Sequence, residues 1–174
     1  MTYGPILGPA LQLFADPVHA SAFFTLGLLA GQQQPRRGAA ALAGFGIALL
    51  LLIRASFYTS ALKGFAPFEA MASAALLLAC GTLVALELRL PIWLAAFAGT
   101  LLGGVHGLAL GLGFASSKTA FAVVGAAGAA IVLAAVGAGL AYVMNGPRGR
   151  AVVRVLGSWS AALGLILLGL ALRG

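Results

Sequence analysis

The sequence predicts an all-α fold, a polytopic bundle of about six transmembrane helices that forms one integral membrane domain over residues 1–174. Hydrophobic residues make up 62% of the chain and charged residues only 7%, whereas about a quarter of the residues in a soluble domain are charged. Several apolar runs reach the ~20 residues that a helix needs to cross a bilayer. The connections between these runs are too short to hold a separate domain.

Short segments rich in proline, glycine and charge separate the predicted helices. They include "QQQPRR", "ELRLP" and "NGPRGR", and these residue types interrupt helices. The first helix is short, because Pro9 and Pro17 interrupt the apolar sequence around it. We expect the segment before Pro17 to lie at the membrane interface or to re-enter the membrane. The six helices are predicted over approximately residues 17–31, 38–57, 68–88, 91–114, 119–144 and 151–172.

Basic residues indicate the partners and the orientation of the bundle. The formal net charge is +7, and the basic residues lie mostly in the short connections. There they would meet the lipid bilayer and its anionic headgroups rather than nucleic acid. Because cytoplasmic connections have an excess of Lys and Arg, the distribution predicts that both termini lie outside. The predicted cytoplasmic side has Arg36, Arg37, Arg89, Arg148, Arg150 and Arg154, and the other side has Arg54, Lys63, Lys118 and Arg173.

Five ionisable residues are predicted to share one depth, in the outer half of the membrane. His106 reaches this level because it lies about 22 Å above the start of its helix, at 1.5 Å per residue. Ionisable side chains inside a membrane are costly, so each needs a partner, an aqueous cavity or a function. The five residues are Asp16, His19, Arg54, Glu69 and His106.

These residue types allow three interpretations. Imidazoles suit nickel, copper or zinc, and a carboxylate can add an oxygen ligand, so His19, Glu69 and His106 form a candidate metal site, with Asp16 and Arg54 as supporting polar residues. A proton relay is the second interpretation, because histidine titrates near physiological pH. In the third, pairs such as Arg54 with Glu69, or Asp16 with His19, only neutralise buried charge.

A stripe of glycines runs along the predicted fourth helix. Gly99, Gly103, Gly107 and Gly111 are spaced four apart, and small residues at this spacing let a neighbouring helix approach closely. We therefore expect these glycines to serve helix packing. A similar ridge on the fifth helix is the expected mate; it consists of Ala126, Ala130, Ala134 and Ala138.

Three segments of the chain resemble motifs of the HupE/UreJ family of bacterial inner-membrane proteins. The opening motif of that family is H-P-x-x-G-x-D-H-L-x-A-x-x-x-x-G, and "VHASAFFTLGLLAGQ" is similar to its second half, with His19 at the second histidine and Gly27 at the glycine. "FEAMASAALLLACG" is similar to the family's "VEAAIAAS" region, with Glu69 at the acidic position. "HGLALG" matches part of the family's H-G-x-A-H-G, with His106 and Gly107 in place.

The chain also departs from these motifs at three positions. The family's first histidine falls at Gln12, its aspartate at Val18, and the later histidine of the fourth-helix motif at Leu110. Asp16 lies near the position of the aspartate but out of register. Two of four imidazoles are therefore retained.

The resemblance implies a membrane permease or accessory protein for a divalent transition metal, with nickel as the implied ion. We expect a bacterial inner-membrane, multi-pass protein that is not an enzyme and has no resident cofactor, the metal ion being bound only transiently. The alternative is a non-transporting structural or assembly subunit of a larger membrane complex, which would bind other membrane protein subunits. The missing imidazoles and the extensive small-residue faces favour that alternative.

Overall fold

A computed structural model describes residues 6–56, 58, 66–113 and 120–173, and α-helices make up most of this part of the chain. It contains no strand among these residues, so the predicted all-α fold is confirmed. Lys63 and Lys118, and the predicted helix ends at residues 57, 114 and 119, lie outside the described residues. The helices of the described part are α1 (Leu7–Ala15), α2 (Pro17–Gln32), α3 (Pro35–Ser56), α4 (Ala66–Ala85), α5 (Ile92–Gly113), α6 (Ala120–Val143) and α7 (Pro147–Ala171).

Five of these helices, α3 to α7, are long and apolar enough to cross a membrane. The helices α1 and α2 form a sixth candidate span that is bent by 85° at the break between them. This architecture is a polytopic bundle of about six spans, as the composition predicts. A bilayer favours it because helices satisfy their backbone hydrogen bonds internally.

Prolines begin two helices whose starts are predicted a few residues later. The helices α3 and α7 start at Pro35 and Pro147, a few residues before the predicted starts, because the first helical position needs no N–H donor. Pro9 was expected to interrupt the first segment. It instead lies within the first turn of α1, where a missing N–H breaks no helical hydrogen bond.

Three helix pairs organise the bundle, and glycines make each contact close. The glycine stripe of α5 lies on α3, α2 lies on α6, and α4 lies on α7. Gly27 of α2 is so near the backbone of α6 that a Cβ atom there would overlap the Ala134 carbonyl oxygen. Gly81 and Gly157 have the same role between α4 and α7.

The partner of the α5 glycine stripe differs from the one expected. Gly99, Gly103 and Gly107 face the backbones of Ala41, Phe45 and Leu49 on α3. The small-residue ridge of α6 packs on α2 instead, because Gly27, Gly31 and Gly137 supply the complementary close contacts there. Small residues at every fourth position thus predict that a helix packs closely there, but not which helix is its partner.

Candidate functional site

The break between α1 and α2 positions the first residues of the site. Asp16 lies in this break with extended backbone geometry and is the N-cap of α2. Its Oδ1 accepts hydrogen bonds from the backbone N–H of Val18 at 2.9 Å and of His19 at 3.3 Å. Pro17 follows as the first helical residue. Aspartate before proline is a favourable helix start, so the local sequence explains both the bend and the position of His19.

The capping residue also lies against the imidazole of His19. Asp16 Oδ2 is 2.9 Å from His19 Nδ1. The two atoms are close enough to attract each other electrostatically, but they do not meet in hydrogen-bond geometry. The pair of Asp16 with His19, one of the alternatives that the sequence allows, is therefore formed. The two side chains approach each other because the cap folds the aspartate back over the first turn of α2.

His19 and His106 form a pair inside the bundle. Their ring centroids are 4.9 Å apart, with the rings at 65° to each other. His19 comes from the start of α2 and His106 from the second half of α5. The side chain of His19 is 13% exposed, whereas His106 is completely buried.

The ring nitrogens of both histidines have no hydrogen-bond partner within the described part of the chain. Burying a polar group without a partner costs about 1–3 kcal/mol, so buried groups of this kind call for an explanation. An imidazole nitrogen is also a good ligand for nickel, copper or zinc. The two adjacent rings, whose buried nitrogens make no hydrogen bond among the described residues, are therefore the chemical centre of the site.

Two phenylalanines form the inner side of the histidine pair. The ring of Phe23 contacts His19 and His106, with centroid distances of 6.1 Å and 5.1 Å, and Phe45 packs on Phe23 at 5.3 Å. Phe23 and Phe45 are buried. The glycine stripe makes this arrangement possible, since Gly103 lies directly on the backbone of Phe45. Neither ring is predicted from the sequence to belong to the site, although Phe23 follows His19 by one helical turn.

A small cavity of about 190 Å³ lies on the other side of His19. Asp16 contributes a carboxylate to its lining, His19 an imidazole, Gln12 an amide, and Leu110 an apolar wall. The cavity is lined by Gln12, Leu13, Asp16, His19, Ala109, Leu110 and Gly113. The carboxylate of Asp16 and the amide of Gln12 therefore line the same cavity as His19.

This cavity collects the positions at which the family resemblance expects imidazoles. Gln12, His19 and Leu110 line it, and His106 contacts His19. Positions from α1, α2 and α5 that are distant in sequence therefore converge in space. At two of them the imidazole is replaced by an amide and by an isobutyl group.

The other predicted site residues lie apart from this cluster. Glu69 is in the first turn of α4 and accepts a hydrogen bond from the hydroxyl of Ser73 at 3.3 Å. The guanidinium of Arg54 is 4.7 Å from the ring centroid of Tyr58. The suggested Arg54 to Glu69 ion pair is absent from the described residues.

The arrangement offers two imidazoles and one nearby carboxylate, with the amide of Gln12 on the cavity wall. No group of three or more His, Cys, Asp or Glu side chains in the described ranges is arranged to hold a metal ion. Tightly held structural metals usually have four protein ligands. The site therefore suits a weakly and transiently bound cation better than a resident one.

A scan against protein-family models supports the resemblance. The model described as HupE / UreJ protein matches residues 13–167. No curated protein and no solved structure matches the chain. The matched region begins in α1 and ends in α7, so it includes all six candidate spans in whole or in part. Because the match extends over most of its length, the chain belongs to the HupE/UreJ family, and membership implies a metal transport or accessory role.

Proposed function

We propose that this protein is a permease for a divalent transition-metal ion, with nickel as the first candidate, in the inner membrane of a bacterium. One observation carries the proposal: the ring nitrogens of His19 and His106 are buried without a hydrogen-bond partner in the described part of the chain, and the two ring centroids are 4.9 Å apart. A bundle whose only task is packing would gain stability by replacing such groups with apolar ones.

The exposed fractions of Asp16, His19 and His106 suggest the order in which an ion would meet these side chains. The side chain of Asp16 is 42% exposed, that of His19 is 13% exposed, and His106 is fully buried. The carboxylate attracts the cation at the mouth of the cavity, and His19 then His106 replace water in its coordination shell. A site with two imidazoles leaves several coordination positions to water, which favours release.

The inner side of the histidine pair is closed by Phe23 and Phe45. In our proposal these rings form the barrier that an ion must pass after it leaves His106. The positive-inside distribution would place the cavity toward the outside and both termini on that same side. Glu69, in the first turn of α4, stays a predicted ligand of the outer-half site.

The permease proposal is tested by metal influx into liposomes. The purified chain is reconstituted with a nickel-sensitive indicator inside, and wild type is compared with His19→Ala, His106→Ala and Glu69→Gln. Thr82→Ala is the matched control, because its exposed hydroxyl donates only to a carbonyl oxygen of its own helix. We expect each histidine variant to lose about tenfold or more in rate at limiting metal, since losing a metal-supporting group costs roughly 10–100-fold in affinity. Equal, negligible nickel influx in the wild type and all variants would refute the permease proposal.

One observation favours a second function, that of a structural or assembly subunit. Gln12 and Leu110 line the cavity where relatives are expected to have imidazoles, so the site is poorer in ligands than the family pattern. In that case mild detergent extraction would recover the chain with other membrane proteins, and the liposomes would show no influx. A protein that is stable alone and conducts metal excludes this alternative.

A further inference from the structure

A second and larger cavity lies at the opposite end of the bundle from the histidine pair. Its volume is about 660 Å³, within the roughly 300–1,000 Å³ of small-molecule sites. Gln32, at the end of α2, lines it, whereas His19 is in the first turn of that helix, so the two sites are about 20 Å apart along α2. The end of α2, the start of α3, the α4–α5 connection, the end of α6 and the start of α7 meet around it.

The cavity differs from the histidine site in charge. Arg89 and Arg150 line it together with one acid, Glu87. Neither guanidinium group has an ion-pair or hydrogen-bond partner within the described residues. Arg37 and Arg154, at the same end, instead donate hydrogen bonds to the backbone carbonyls of Leu90 and Ala85. These two guanidinium groups therefore connect separate segments of the bundle.

Two helix starts add positive potential to this cavity. Gln34, Pro35 and Gly38, around the start of α3, line it, as does Arg150 in the beginning of α7. Neither helix has an acidic residue in its first turn, and the α7 N-cap makes no side-chain hydrogen bond. Helix N-termini have partial positive charge and bind anions, phosphate in particular.

The deeper lining is apolar, and it includes Leu42, Ala138, Ala141 and Val153. The cavity thus combines a cationic rim with an apolar interior. A metal cation would be repelled by the two guanidiniums, which argues against a role as the exit of the proposed metal route.

We infer that this cavity binds a phosphate group through Arg89 and Arg150. Arginine matches phosphate oxygens by charge and by its forked donors. The phosphate belongs either to an anionic lipid headgroup, whose chain would enter along the apolar lining, or to a soluble phosphate compound. This binding does not depend on metal transport.

Two measurements on the full-length protein test the inference and separate the two sources. In the first, the protein is released from nanodiscs of phosphatidylglycerol and phosphatidylcholine, and the lipid that stays bound is identified by native mass spectrometry. In the second, inorganic phosphate is titrated into the detergent-solubilised protein by calorimetry. Arg89→Gln and Arg150→Gln remove the charges in question, and Arg148→Gln is the matched control, because Arg148 is an exposed arginine of the same helix start that does not line the cavity.

We expect each cavity variant to weaken binding about fivefold, the usual contribution of one basic residue at a membrane surface, and the control to leave it unchanged. Glu87→Gln should strengthen binding, because it removes the only acid of the lining. This pattern with phosphatidylglycerol assigns the lipid source, and the same pattern with inorganic phosphate alone assigns the soluble source. Equal losses in Arg148→Gln and the cavity variants, or no difference between wild type and any variant in both measurements, overturn the inference.

Discussion

Replacing His106 by leucine should stabilise the metal-free protein and weaken its response to metal. His106 is fully buried, and both of its ring nitrogens are without a hydrogen-bond partner in the described part of the chain. A neutral imidazole has one donor and one acceptor. Leucine is similar in size and needs no partner, and it suits the apolar contacts made by Phe23.

The expected gain follows from the two unpaired groups. Each unpaired group costs about 1–3 kcal/mol when buried. Removing both therefore stabilises the protein by at most about 2–6 kcal/mol. The flat imidazole and the branched leucine fill space differently, and imperfect repacking costs up to about 1.5 kcal/mol. We therefore expect the free energy of unfolding to rise by about 2 kcal/mol, a change of about 30-fold in the unfolding equilibrium.

Reversible unfolding by sodium dodecyl sulfate in mixed micelles measures this change, with and without nickel. His19→Leu is the comparison variant, because it removes the 2.9 Å contact with Asp16 and should gain less stability. Nickel should raise the unfolding midpoint of the wild type by more than that of His106→Leu, which keeps one imidazole. The reasoning is refuted if His106→Leu is less stable than wild type without metal, or if nickel stabilises both proteins equally.

The remaining predictions use the same unfolding titration or nickel calorimetry. Leu110→His should raise nickel affinity about tenfold by adding an imidazole at the cavity wall, and unchanged affinity would show that this wall is not part of the site. Asp16→Ala should cost about 1 kcal/mol of stability through the lost helix cap, whereas Asp16→Asn should keep the cap and weaken only metal binding; equal stability losses in both would contradict the capping argument. Gly103→Ala should cost about 1–3 kcal/mol, because its Cβ would overlap a carbonyl oxygen of α3. Gly104→Ala, with open space beside it, should be neutral or slightly stabilising, and equal effects of the two would refute close α3–α5 packing.

Much of the fold follows from local features of the sequence. Composition and the length of apolar runs predict the all-α bundle, because a bilayer allows few other ways to satisfy the backbone. The start of α2 at Pro17 follows from the Asp–Pro pair. Which helix packs on which does not follow from the sequence, because both α5 and α6 present small residues, such as Gly103 and Ala134. The complementary surface lies on α3 in one case and on α2 in the other.

The candidate site was predictable only in part. Counting residues along the helices places His19 and His106 at one depth, but depth does not fix the direction in which a side chain points. The ring of His106 on α5 contacts the ring of His19 on α2, whereas Glu69 accepts a hydrogen bond from Ser73 on its own helix. The ring of Phe23 was missed because an aromatic residue in an apolar helix gives no chemical signal by itself.

The role of the unpaired arginines in the larger cavity was not predictable from the sequence either. The positive-inside rule accounts for Arg89 and Arg150 as topology signals, and sequence alone gives no reason to separate them from Arg37 or Arg154. The distinction appears only in the structure, where the latter two donate to backbone carbonyls.

The central claim is that one divalent metal ion is bound by His19 and His106 together. X-ray absorption spectroscopy of the nickel-loaded protein at the nickel K-edge tests it most directly, because imidazole rings give a characteristic multiple-scattering signal whose amplitude counts them. We predict two imidazoles per nickel in the wild type, one in His106→Leu, and a spectrum dominated by oxygen ligands when both histidines are replaced. A wild-type spectrum equal to that of the double variant would contradict the account.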